Sequence, residues 1–215
     1  MNATRLQLYS PYERIWHWLQ AAVIGFLMFT GLAIHAPTAL GWLPFATADQ
    51  LHNVLGFLLI GNAFLGMFYY VATGTIRQYL PEPHDFVSLA VRQAWFYLRG
   101  MFRGEPHPLE KVVQRRLNPL QQVTYLIILN VLLPLQLATG LLTWGAQRWP
   151  ETVQSVGGLP ILGMVHTLGA WLFGSFVVMH VYLTTTGHTP LANVKAMVLG
   201  YEDVRVEEKT DGMAS

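Results

Sequence analysis

The stretch Leu159–Thr185 reads LPILGMVHTLGAWLFGSFVVMHVYLTT and contains no Lys, Arg, Asp or Glu. A helix needs roughly 20 apolar residues to cross a hydrocarbon core of about 30 Å, so this segment is long enough to span a membrane. His166 and His180 are the exceptions to its apolar character, and an ionisable side chain within a span usually marks function. They lie fourteen residues apart. At about 100° per residue this is roughly 1400°, within about 40° of four full turns, with a rise of roughly 21 Å. The two imidazoles share one helix face but sit in opposite leaflets.

Three further runs are equally free of charged residues: Ile15–Ile34, His52–Ala72 and Gln122–Trp144. The first is too long for a cleavable signal peptide and no small-residue cleavage site follows it. Backbone groups in lipid must be satisfied within each segment, so four such runs predict an all-α membrane protein, a bundle of four transmembrane helices. Composition agrees. Apolar residues make up 53% of the 215 and charged residues 12%, about half the share usual in soluble domains. A net charge of +1 gives no field to attract nucleic acid. With no cysteine there can be no disulfide, iron–sulfur ligation, thiolate zinc site or covalent c-type haem. Metal chemistry has to run on histidine.

The basic residues orient the bundle. Arg5 and Arg14 precede the first span, seven basic residues from Arg77 to Arg116 separate the second from the third, and Lys195, Arg205 and Lys209 follow the fourth. Only Arg148 of the thirteen lies on the other side. The positive-inside rule therefore puts both termini in the cytoplasm. The long inner loop, residues 73–121, is not a separate domain. Within it Phe86, Leu89, Ala90, Ala94 and Tyr97 recur at helical spacing among Arg92, Arg99 and Arg103, which fits a helix lying in the membrane interface. A docking surface for a cytoplasmic partner is the competing reading. The tail, residues 201–215, is polar and expected to fray. No internal repeat is visible.

Topology pairs the histidines. The fourth span runs from outside to inside, so His166 is outer and His180 inner; His52 opens the second span on the outer side and His17 lies near the inner end of the first. The pairs are His52 with His166 and His17 with His180. Roughly 21 Å between levels rules out one shared site. Taken singly, each histidine reads as a satisfied polar residue of the bundle. Taken together, two imidazole pairs on facing helices are what two low-spin b-type haems require. Gly31, Gly56, Gly61, Gly66, Gly169 and Gly174 leave room for a planar macrocycle, although glycines are common in packed membrane helices anyway. Two haems stacked along the membrane normal would carry electrons across most of the bilayer, with a lipid-soluble quinone as the natural exchange partner at the inner face.

The RIWHW start (Arg14, Ile15, His17 and Trp18 within it), His52, the run Asn118-Pro119-Leu120-Gln121-Gln122 and the His166/His180 pair resemble the bacterial di-haem cytochrome b family. That family includes membrane subunits of thiosulfate reductase, respiratory formate dehydrogenase and nickel–iron hydrogenase, and His180–Gly200 looks most like the thiosulfate-reductase branch. The resemblance implies four helices, two haem b on His17, His52, His166 and His180, and a quinone site (menaquinone or ubiquinone) near the inner haem. Asn118 is the matching polar residue for that site and equally an N-cap before Pro119; Gln121 or Gln122 could be a second contact. Arg14, His188, Thr185 or Thr186 could meet an inner propionate. The implied partner is a periplasm-facing subunit of iron–sulfur, molybdenum or multihaem type, and the implied role is to carry electrons between that subunit and the quinone pool. A self-sufficient di-haem quinone oxidoreductase and a haem-free anchor or transporter with histidine proton relays are the rivals. His35, His84 and His107 read as interfacial or exposed.

Overall fold

A computed structural model of the chain describes residues 3–38, 40–80, 86–105, 119–186 and 189–205. Four helices are long and apolar enough to cross a membrane: α1 (Pro11–His35), α2 (Phe45–Ala72), α4 (Pro119–Trp144) and α6 (Gly158–Thr184). Each matches a charge-free run of the sequence. The differences lie at their starts. α1 begins four residues early because Ser10 and Glu13 form a capping box: the Glu13 N–H donates to Ser10 Oγ (3.2 Å) and the Ser10 N–H donates to a Glu13 carboxylate oxygen (2.7 Å). α2 begins seven residues before His52, so that histidine lies two turns inside its helix. α4 contains a π-helical segment, Ile128–Leu132, just before Pro134. Proline lacks the N–H that would satisfy the carbonyl four residues earlier, and the widened turn falls where that bond is lost.

α1 packs along α2 and α4 along α6, with α2 also meeting α4. All four spans contribute to one buried cluster: Val23, Leu59, Ile128, Leu132, Leu133 and Phe173. Phe173 lies seven residues from His166 and seven from His180, which puts this apolar layer halfway between the two histidine levels. The outward faces carry large apolar side chains that remain exposed, among them Phe64 (62%), Trp171 (64%) and Val178 (72%). Exposed apolar surface on this scale is satisfied by lipid, and the fold is that of a multi-pass membrane protein.

The segment between α2 and α4 holds the helix expected there, α3 (Phe86–Trp95), continued by a π turn, Phe96–Gly100, and a short 3-10 turn, Met101–Arg103. Val87, Val91, Trp95, Leu98 and Phe102 form an exposed apolar row, and the Arg99 guanidinium lies 5.3 Å from the Trp95 ring centre. A 3-10 turn, Thr75–Tyr79, follows α2, and two further short helices are α5 (Pro150–Ser155) and α7 (Ala192–Leu199).

The chain ends depart from expectation. Residues 201–205 do not fray: β2 (Tyr201–Arg205) pairs antiparallel with β1 (Ala3–Gln7), Ala3 opposite Arg205 and Gln7 opposite Tyr201. The turn from α7 into β2 runs through Gly200 at φ +92°, where a Cβ would lie 2.9 Å from the Tyr9 carbonyl oxygen. Arg14 Nη1 donates to the Val198 carbonyl (2.7 Å) and Trp18 Nε1 to that of Met197 (3.3 Å). Both ends of the described chain thus meet at one end of the bundle, called here the termini end; the opposite end is the loop end. Residues 206–215 lie outside the described residues.

Candidate functional site

The two hairpins bring the histidines together in the pairs expected from depth. At the loop end, His52 near the start of α2 faces His166 near the start of α6, with ring centres 6.2 Å apart and planes at 78°. At the termini end, His17 near the start of α1 faces His180 near the end of α6, again at 6.2 Å, with planes at 51°. All four side chains are half-buried. A metal bound by two opposed imidazoles, with metal–nitrogen bonds of about 2.0–2.1 Å and about 1.1 Å from nitrogen to ring centre, sets those centres roughly 6.3 Å apart. Both pairs have that spacing. Among the described residues no three His, Asp or Glu side chains gather at one point. Each level therefore offers two nitrogen donors, a set suited to an iron whose four equatorial ligands come from a macrocycle.

The surroundings differ between levels. At the loop end, glycines lie against both imidazoles: a Cβ at Gly31 would be 3.4 Å from His52 Cε1, and one at Gly140 would be 3.1 Å from His166 Cε1. Threonines precede both glycines. Thr30 Oγ1 is 2.9 Å from His52 Nδ1, and Thr139 Oγ1 is 3.0 Å from His166 Nδ1. Gln136 Nε2 lies 3.2 Å from His166 Nε2 and 3.1 Å from the His166 carbonyl oxygen, while Gln136 Oε1 is buried without a hydrogen-bond partner among the described residues. The sequence thus does contain a short repeat, Thr30-Gly31-Leu32 and Thr139-Gly140-Leu141, and each copy seats one loop-end histidine.

Aromatic rings surround the termini-end pair. Phe176 stacks on His180 at 5.5 Å, and Trp18 meets His17 edge to face at 5.3 Å. From Phe176 the ring contacts continue to Tyr125 (6.1 Å), Tyr79 (6.1 Å) and Tyr70 (5.5 Å). These residues come from separate segments, and no local sequence signal connects them. His17 Nδ1 is buried and has no hydrogen-bond partner among the described residues.

The glycines divide by use. Gly66 admits Trp16, whose indole would be 2.5 Å from a Cβ there and whose Nε1 donates to the Asn62 carbonyl (2.8 Å). Gly169 faces the Gln136 side chain and Gly174 the Met28 methyl group, whereas Gly56 and Gly61 border open space. Arg14, read from sequence as a propionate contact, binds the Val198 carbonyl. Gln121 lies in the first turn of α4. Its neighbour Gln122 is buried and donates to the carbonyls of Gln78 (2.9 Å) and Leu80 (3.4 Å), fastening the segment after α2 to α4. The Thr185 and Thr186 hydroxyls donate to the carbonyls of Tyr182 and Leu183. His35 is exposed at the end of α1. Asn118, His84, His107 and His188 lie outside the described residues.

Residues 8–200 match the family described as prokaryotic cytochrome b561. The chain is 36% identical to the putative cytochrome YdhU of Escherichia coli over 93% of its own length and 76% of that protein's. It is 25% identical to a probable Ni/Fe-hydrogenase B-type cytochrome subunit of Rhodobacter capsulatus, covering 83% and 73% of the two chains. It is 24% identical to a putative protein-methionine-sulfoxide reductase subunit, YedZ1, of Azospira oryzae, covering 81% and 88%. With four membrane-spanning helices, two facing histidine pairs and a family match over most of its length, the chain belongs to the prokaryotic cytochrome b561 family of haem b-binding membrane cytochromes.

Proposed function

We propose that this chain is the membrane cytochrome subunit of a quinone-linked oxidoreductase complex. It holds two haem b, one between His52 and His166 and one between His17 and His180. The observation that carries this reading is the repeated 6.2 Å ring spacing at two levels roughly 21 Å apart along α6. Bound haem supplies a one-electron couple at each level. The protein supplies the axial nitrogens, the glycine surfaces that let the rings approach, and the apolar layer around Phe173.

The excess of basic side chains toward the termini end supports a cytoplasmic position for it, with the loop-end pair facing the periplasm. Relatives named as hydrogenase and reductase subunits support a catalytic partner, and that face is where it docks in this reading. Quinone exchanges electrons at the termini end, where Asn118 and Gln121 are its polar contacts. Purification of the full chain from its native membrane in mild detergent tests this reading. The expected result is two haem b per chain by pyridine haemochrome and a co-purifying redox subunit. Well under two haems per chain, or a lone polypeptide with full activity, contradicts it.

A further inference from the structure

The loop-end imidazoles share a hydrogen-bond arrangement that the family match does not assign. A threonine hydroxyl has one proton. Thr30 Oγ1 lies 2.9 Å from the Phe26 carbonyl oxygen and 3.2 Å from that of Leu27; Thr139 Oγ1 lies 2.7 Å from the Leu135 carbonyl oxygen and 3.2 Å from that of Gln136. Each hydroxyl thus spends its proton on its own helix, one turn back, and has only lone pairs left for the imidazole. With the hydroxyl protons so placed, His52 Nδ1 and His166 Nδ1 act as the donors, the role that the Nδ1–H tautomer gives them. At His166 the Gln136 amide, a donor, sits at Nε2, which fits only a lone pair there. Both loop-end rings are therefore held as the Nδ1–H tautomer, which leaves Nε2 with a lone pair; at His166 that lone pair faces the Gln136 amide.

We propose that Thr30 and Thr139 are positioning residues for the loop-end centre: each hydroxyl accepts the Nδ1–H of one axial histidine, fixes its ring with Nε2 toward the metal, and makes that nitrogen more basic. This rests on haem ligation by His52 and His166. An acceptor on the second ring nitrogen strengthens the ligand toward the more highly charged metal. The two threonines therefore favour ferric over ferrous iron at the loop end and lower its potential. At the termini end, His17 Nδ1 has no such acceptor among the described residues. The same two ligand atoms thus have different electronic support at the two levels.

The test is a spectroelectrochemical titration of the purified full chain as Thr30→Val, Thr139→Val, Thr30→Ser and Thr139→Ser. Valine keeps the threonine shape and removes the hydroxyl; serine restores it. Each valine variant is expected to shift the loop-end ferric/ferrous equilibrium about tenfold toward ferrous, 59 mV upward for one electron, with the other midpoint fixed. Serine variants should return to the wild-type value. If valine expels the loop-end haem and serine retains it, the proposal also stands. Unchanged midpoints in both valine variants, or equal haem loss in the valine and serine variants, overturns it. Failure of the underlying ligation is separately visible, because His166→Ala would then leave the wild-type haem content and both midpoints intact.

Discussion

The two ends of the bundle present the same pair of imidazoles in different settings. At the loop end, each imidazole lies against a glycine and hydrogen-bonds a threonine on the neighbouring helix. At the termini end, the rings sit among Trp18, Phe176 and the tyrosines beyond it. The spacing between rings is identical, 6.2 Å. Ligand type and spacing therefore fix where iron can be held, while the second layer of contacts sets how strongly each oxidation state is favoured.

The comparison can be broken first at the glycines. Gly140→Val puts a branched side chain where a Cβ alone would already be 3.1 Å from His166 Cε1. Pyridine haemochrome of the purified variant is expected to show about half the wild-type haem, with the loop-end midpoint absent and the termini-end one present. Gly25→Val is the matched control, because nothing lies within 4 Å of a Cβ there; it should keep both haems. Full retention in Gly140→Val would mean that this close approach places no constraint on the loop-end centre.

A smaller change sharpens the other end. Ser10→Ala removes one half of the capping box that starts α1 two turns before His17. Loss of such a cap costs about 1 kcal/mol, which for a chain of this size lowers the unfolding midpoint by about 2–4 °C. Thermal unfolding followed by loss of the haem absorption band should show that decrease, with both midpoint potentials unchanged. A shift in either potential would tie the cap to the cofactor sites and weaken the division between scaffold and ligand support.

The spans were legible because lipid imposes a strong and simple filter: no Lys, Arg, Asp or Glu over about 20 residues. Helix starts were less legible, since α1 and α2 extend past the apolar runs into polar ends, although Ser10-Pro11 followed by Glu13 is a readable cap. Depth and topology were enough to pair His52 with His166 and His17 with His180, because a helix converts sequence separation directly into height. Thr30 and Thr139 were not legible. A threonine in an apolar span most often bonds its own helix, and only the facing imidazole gives its second lone pair a use. The terminal ribbon was hidden too, since its strands lie at opposite ends of the sequence.

The central claim is that four histidines form two separate centres, paired by level. Redox titration of His52→Ala, His166→Ala, His17→Ala and His180→Ala, each purified as the full chain, tests it most directly. His52→Ala and His166→Ala should each delete the same one of the two midpoints, and His17→Ala and His180→Ala should each delete the other. Deletion of different midpoints by His52→Ala and His166→Ala would contradict the account.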